Sequence, residues 1–148
     1  MFTEKELEEI KSYIKNSSEI SDVAVGCDAN YAGKNTLFTL TVGIHIDGKH
    51  GTKVFRKRFK VTRRLDLREK LWQEVTSAIQ LATEIYPVVG KRKFSVHLDL
   101  NPDENEASHV IIKEAKAMVS SYGFEVKVKP DAHMSTYAAD HFVRGEEK

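Results

Sequence analysis

The 148-residue chain reads as an α/β fold: a mixed five-stranded sheet with helices on both faces and an extra helix in front. Three observations predict this. First, apolar runs of strand length at 22–27, 36–46 and 53–61 follow one another with turn residues between them, the pattern of an antiparallel meander. Second, long helical periodicities at about 66–85 and 105–122 then alternate with short apolar runs at 94–100 and 124–129, which is how crossovers between parallel strands read. Third, 41% of residues are hydrophobic and 30% charged, a balance that fits one domain over 1–148 with its core at about 20–145.

The leading helix, about 4–16, has a well-marked start. Thr3 can cap, Glu6 can answer it three residues later, and Phe2 can staple onto Leu7. Leu7, Ile10 and Ile14 share one face, and Asn16, Ser17 and Ser18 end the helix. The first strand, DVAVGC, is apolar on both faces, as a central strand in a helix-covered sheet should be. Asp28 follows it directly, and ANYAGKN reads as a loop. Asp47-Gly48 reads as the turn into the third strand. In that strand Phe55, Phe59 and Val61 alternate with Arg56, Arg58 and Lys60, so one face meets the core and the other carries cations. Asp66 caps the long helix, and Pro87 and Gly90 mark its exit. Gly123 stops the next helix and Pro130 the last strand. A final helix is expected over about 135–144.

The single cysteine, Cys27, allows no internal disulfide and suits a reducing, cytoplasmic setting. MFTEKELEEI lacks the basic-then-apolar order of a signal peptide, and no apolar run approaches the ~18 residues of a membrane span. The net charge is +1. Between Lys49 and Lys93, however, about 13 Lys/Arg stand against about 4 Asp/Glu. That asymmetry can make a footprint for phosphates, or simply a solvated strand surface.

Four acids fall at telling places. Asp28 follows the first strand and Asp99 closes the fourth, and ligands of open α/β sheets bind at such carboxyl ends. Asp140 lies in the final helix. Glu74 interrupts the apolar stripe Leu67, Leu71, Ala78, Leu81 and Ile85, where a carboxylate needs a cation or hydrogen-bond partner. Glu69, aligned with Gln73 and Thr76 on the polar face, is the weaker alternative to Glu74 as the helix ligand. Clustered carboxylates share protons or hold a metal, and hard oxygen ligands suit Mg²⁺ or Mn²⁺. Two such ions about 3.5–4 Å apart can activate water and stabilise the leaving oxygen of a phosphodiester. Each acid also has a plainer reading: Asp28 as a turn residue, Asp99 as a loop cap, Asp140 as a surface helix acid, Glu74 as an ion-pair partner of Arg56 or Lys127. No zinc spacing, Gly-rich phosphate loop or Ser-His-Asp set is present.

The order of elements and acids resembles the ribonuclease-H-like superfamily. The segments VGCDAN, LREKLWQE, VHLDLNP and GFEVKVKPDAHMSTYAADH are similar, more closely, to the YkuK-type family of predicted ribonuclease-H-like proteins. The resemblance covers roughly residues 22–144. It implies metal-dependent hydrolysis of nucleic acid, whether RNA, DNA or a hybrid, with Asp28, Glu74, Asp99 and Asp140 as ligands of two Mg²⁺ or Mn²⁺ ions. In-line attack of water would leave 3′-hydroxyl and 5′-phosphate ends, and Arg56 and Arg58 would position the backbone. A non-catalytic module of the same fold, binding nucleic acid or a protein partner, is the alternative.

Further residues group around these. Glu69 and Asp131 are candidates to support the ligands from behind, although Asp131 reads better as the approach cap of the last helix. By resemblance, His133 can assist proton transfer or product departure, and its plain reading is an exposed loop histidine. Tyr137, Asp140, His141 and Arg144 share one helical face. Tyr137, His141 and Arg144 can there touch substrate phosphate and base, or form an ordinary polar face. His97 suits either a packed core or the site, and Cys27 reads as a small core residue.

Overall fold

The computed structural model describes residues 1–46, 51–98 and 106–128. In chain order these form α1 (Glu4–Asn16), β1 (Asp22–Ala32), β2 (Asn35–His45), β3 (Thr52–Val61), α2 (Leu67–Ile85), a 3₁₀ turn (Tyr86–Val88), β4 (Lys93–Leu98), α3 (Glu106–Ser121) and β5 (Glu125–Val128). The Asp47-Gly48 turn, the last helix and the acids Asp99, Asp131 and Asp140 lie outside the described residues.

Both early helices begin as their capping residues dictate. Thr3 Oγ1 accepts from the Glu6 amide at 3.1 Å, and Glu6 Oε1 accepts from the Thr3 amide at 2.8 Å. Asp66 and Glu69 repeat the exchange at the head of α2, at 2.8 and 3.2 Å. Each box satisfies two amides that have no partner within the helix.

The sheet order is β3-β2-β1-β4-β5. β1–β2 and β2–β3 are antiparallel, and β1–β4 and β4–β5 are parallel. The mixed sheet expected from the sequence is therefore present. α2 carries the chain from the β3 edge, across β2 and β1, to β4. Alternation along the strands sorts the side chains by face. Val23, Val25, Cys27 and Ala29 of β1 lie in register with Ile44, Val42, Leu40 and Phe38 of β2. All eight are buried.

The three described helices cover this apolar face. Tyr13 of α1 meets Phe55 edge-on at 5.8 Å, and Lys57 reaches Glu6 at 3.0 Å. α2 packs on β1, β2 and β4, and α3 lies beside α2 and β5. Ile111, Ala115 and Val119 of α3 join the same core. None of the described helices is long and apolar enough to cross a membrane.

One expectation is corrected. β1 does not end at Cys27 but runs to Ala32, where a two-residue turn at Gly33-Lys34 returns it as β2, with Ala32 paired to Asn35. The composition of ANYAGKN resembles a loop, yet the in–out alternation continues through it: Ala29 is buried and Asn30 exposed. Gly33 takes the left-handed φ of 58° that the tight turn needs.

Candidate metal centre

α2 turns Leu71, Glu74, Val75, Ala78 and Leu81 toward the sheet. Glu74 is 2% exposed, so α2 buries it, as the interrupted stripe predicted. The entry of α2 is fixed by the loop before it. The buried Thr36 hydroxyl donates to Arg63 O at 2.9 Å and accepts from the Leu65 amide at 3.0 Å. Tyr31 Oη donates to Leu65 O at 2.7 Å. The β1–β2 hairpin thus grips the N-terminus of α2 and sets the depth of Glu74. Lys70 Nζ stands 3.5 Å from Glu74 Oε1, one turn earlier on the helix. Arg56 and Lys127, the partners considered from sequence, project by register to the other sheet face.

Asp28 approaches from that other face. It pairs with Thr39 on β2, and its Oδ1 accepts from the Ala29 amide at 2.9 Å. The parallel β1–β4 register is described as far as Cys27↔Leu98, one residue earlier. Asp28 is therefore the first β1 residue beyond the described β4 pairing, with antiparallel β2 on one side and parallel β4 on the other.

Both acids bear on Cys27, the residue before Asp28 on the α2-facing side of β1. The Cys27 thiol is pushed well above its ordinary range, first by burial, then by Glu74, then by Asp28. Glu74 acts on the thiol from the helix side and Asp28 from the adjacent strand position. The carboxylate oxygens of Asp28 and Glu74 are hard donors, a chemistry that fits Mg²⁺ or Mn²⁺.

The face that carries Asp28 is polar. Asp28, Thr39 and Arg58 form one row across β1, β2 and β3. Arg58 is exposed and roughly 10 Å from Asp28 at two strand spacings. The next row runs through Arg56, Thr41, Gly26, His97 and Lys127. His97 is buried and its Nε2 shares a hydrogen with Ser95 Oγ at 3.0 Å. The cations read from the third strand thus share a face with the first-strand acid.

Glu69 is engaged elsewhere. Beyond its cap, it receives both Arg63 guanidinium nitrogens at 2.7 and 3.1 Å. The Arg63 hydrogen bonds, then the Asp66 backbone bond, hold its carboxyl down at about 2.

Of the proposed ligands, Asp28 and Glu74 lie among the described residues, Asp28 on β1 and Glu74 on the buried side of α2. Among the described residues no group of three or more His, Cys, Asp and Glu side chains is poised for a metal. Asp99 is the next residue after Leu98 in the chain. Asp99, Asp131, His133, Tyr137, Asp140, His141 and Arg144 fall outside the described residues. Two neighbours escaped the sequence reading. Lys70 was legible from its i,i+4 spacing to Glu74. The Tyr31–Arg64 stack, with the guanidinium 4.0 Å from the ring centroid, joins segments too far apart in sequence to carry a signal.

Comparison with known proteins agrees with this topology. The ribonuclease H-like family matches residues 5–144. The uncharacterized protein YkuK of Bacillus subtilis (strain 168) is 26% identical over 155 residues, spanning 93% of this chain and 88% of that one. No solved structure matches. With the strand order, the mixed pairing and a family match over almost its whole length, the chain belongs to the ribonuclease H-like family.

Proposed function

We propose that this protein is a divalent-metal-dependent nuclease, with Asp28, Glu74, Asp99 and Asp140 as the metal ligands. The observation that carries this reading is Glu74. A carboxylate 2% exposed, on the packed side of a helix, is costly to take out of water, and Lys70 at 3.5 Å offsets that cost. A divalent ion held by the acids would give this buried carboxylate a chemical role. Family membership supports a nucleic-acid-related role, and fold alone does not name the chemistry.

The residues divide the work as follows. Asp28 is held by the β1–β2 ladder and by its own turn-like bond to the Ala29 amide, so its carboxylate is pre-set. Glu74 is fixed in depth by the Tyr31 and Thr36 clamps on the loop ahead of α2. Asp99, directly after the β4 register, and Asp140 complete the set. Mg²⁺ or Mn²⁺ at these oxygens, two ions in the expected arrangement, would activate water and stabilise the leaving oxygen of a phosphodiester. Arg58 and Arg56, on the Asp28 face, meet the phosphate backbone. His133, Tyr137, His141 and Arg144 serve the substrate side.

The test is a panel of RNA, single- and double-stranded DNA and RNA–DNA hybrid, incubated with Mg²⁺ or Mn²⁺. Cleavage of at least one substrate is expected, with 5′-phosphate ends, and Asp99→Asn should abolish it. A panel left intact with both metals would overturn the nuclease reading in favour of a non-catalytic nucleic-acid-binding module.

A further inference from the structure

We propose that Lys70 is a built-in placeholder: it neutralises Glu74 while the metal centre is empty and gives way when a divalent ion binds. The inference rests on the metal-centre reading above. It is carried by the placement of Lys70, which local helix energetics do not explain. Lys70 is the fourth residue of α2, in the first turn, where the helix dipole disfavours a cation. It precedes Glu74 by four residues, the less favourable order for an i,i+4 acid–base pair. Its side chain is only 16% exposed, against 3% for Glu74, and the two charged groups are 3.5 Å apart. What this placement provides is a cation against the buried carboxylate.

The surroundings give the ammonium somewhere to go. Lys70 Nζ is 5.9 Å from the centroid of the Tyr31 ring, at the outer limit of a cation–π contact. Tyr31 is 40% exposed, so that side opens to water. The flexible four-carbon stem lets the charge move from Glu74 toward the ring or solvent without moving the helix. Lys70 sits on Oε1, and an ion on the same carboxylate would repel the ammonium, so ion binding is coupled to a shift of the lysine away from Glu74. Lys70 therefore weakens metal affinity and keeps the empty site folded.

The experiment uses MnCl2 alone, with calorimetric titration and thermal melts on the full chain. Wild type is compared with Lys70→Met, the milder Lys70→Gln, and Lys70→Arg. Without metal, the methionine and glutamine variants should melt lower than wild type. They should bind Mn²⁺ about tenfold tighter, the effect of removing one positive charge about 6 Å from a divalent ion at a water-like dielectric, and gain more in Tm from it, while Lys70→Arg follows wild type. If Lys70 is only a structural partner, the metal-free Tm falls and the Mn²⁺ affinity is unchanged, which overturns the proposal. Weaker Mn²⁺ binding in both variants overturns it too and makes Lys70 a helper of the metal. Absence of Mn²⁺ binding in wild type and variants alike would instead remove the metal-centre reading itself.

Discussion

Replacing Glu74 with glutamine separates a carboxylate kept for chemistry from one kept for packing. At 3.5 Å and an effective dielectric near 20, the Lys70–Glu74 attraction is about 5 kcal/mol. Taking a carboxylate out of water costs several kcal/mol, so attraction and desolvation nearly cancel. Glutamine keeps the shape and removes the desolvation cost. Lys70, left behind, is 16% exposed and can reach water. The metal-free variant should therefore differ from wild type by about 1 kcal/mol or less, which is about 2–4 °C in Tm for a chain of this size. Mn²⁺ at one hundred times its Kd should stabilise wild type by about 2.7 kcal/mol, or about 5–10 °C, and should do little for the variant. Thermal melts with and without MnCl2 read both quantities. A metal-free loss of about 3–5 kcal/mol, the usual result of breaking a buried ion pair, together with an undiminished response to Mn²⁺, would refute the argument. Glu74 would then be a structural partner of Lys70 and nothing more.

Other outcomes follow from the same structure. Thr3→Ala and Asp66→Ala each remove one capping box and should cost about 1 kcal/mol apiece in urea unfolding, adding nearly linearly. Phe38 is fully buried and stacked on Phe59 at 4.9 Å, so Phe38→Ala should cost about 3–5 kcal/mol. The Glu69 carboxyl lies below its unfolded value of 4.5, at about 2. Its stabilising contribution is therefore complete above pH 4.5 and is lost as pH falls toward 2. Melts of wild type and Glu69→Gln should accordingly converge over that window, and a gap that stays constant would contradict the assignment. Arg58 is exposed in the row of Asp28, so Arg58→Ala should weaken nucleic-acid binding across sequences and lower the salt slope by about 1.

Much of the fold was legible because its signals are local. Thr3-x-x-Glu6 and Asp66-x-x-Glu69 mark helix starts within four residues of sequence, and the Phe55/Arg56 alternation states the two faces of β3 unaided. The depth of Glu74 was legible for the same reason: an acid on an apolar stripe has nowhere else to face. The end of β1 was not. Asn30, Gly33 and Lys34 have the composition of a loop, and only pairing with β2 keeps residues 28–32 extended, a long-range fact that overrides local preference. The clamp of Tyr31 on Leu65 and the stack of Arg64 on Tyr31 span more than 30 residues and carry no periodic signature. Glu69 shows how one residue can satisfy two readings from sequence: its spacing from Asp66 fits a capping box as well as a place behind the site, and the structure shows the box and the Arg63 pair.

The central claim is that distant acids converge to hold divalent ions. Its most direct test is a crystal structure of the full chain soaked in MnCl2, with anomalous scattering used to locate manganese. The account predicts manganese bound by carboxylate oxygens of Asp28 and Glu74, joined by Asp99 and Asp140, with the Lys70 ammonium withdrawn from Glu74. Manganese absent from those oxygens at saturating concentration, with Lys70 still against Glu74, would contradict it.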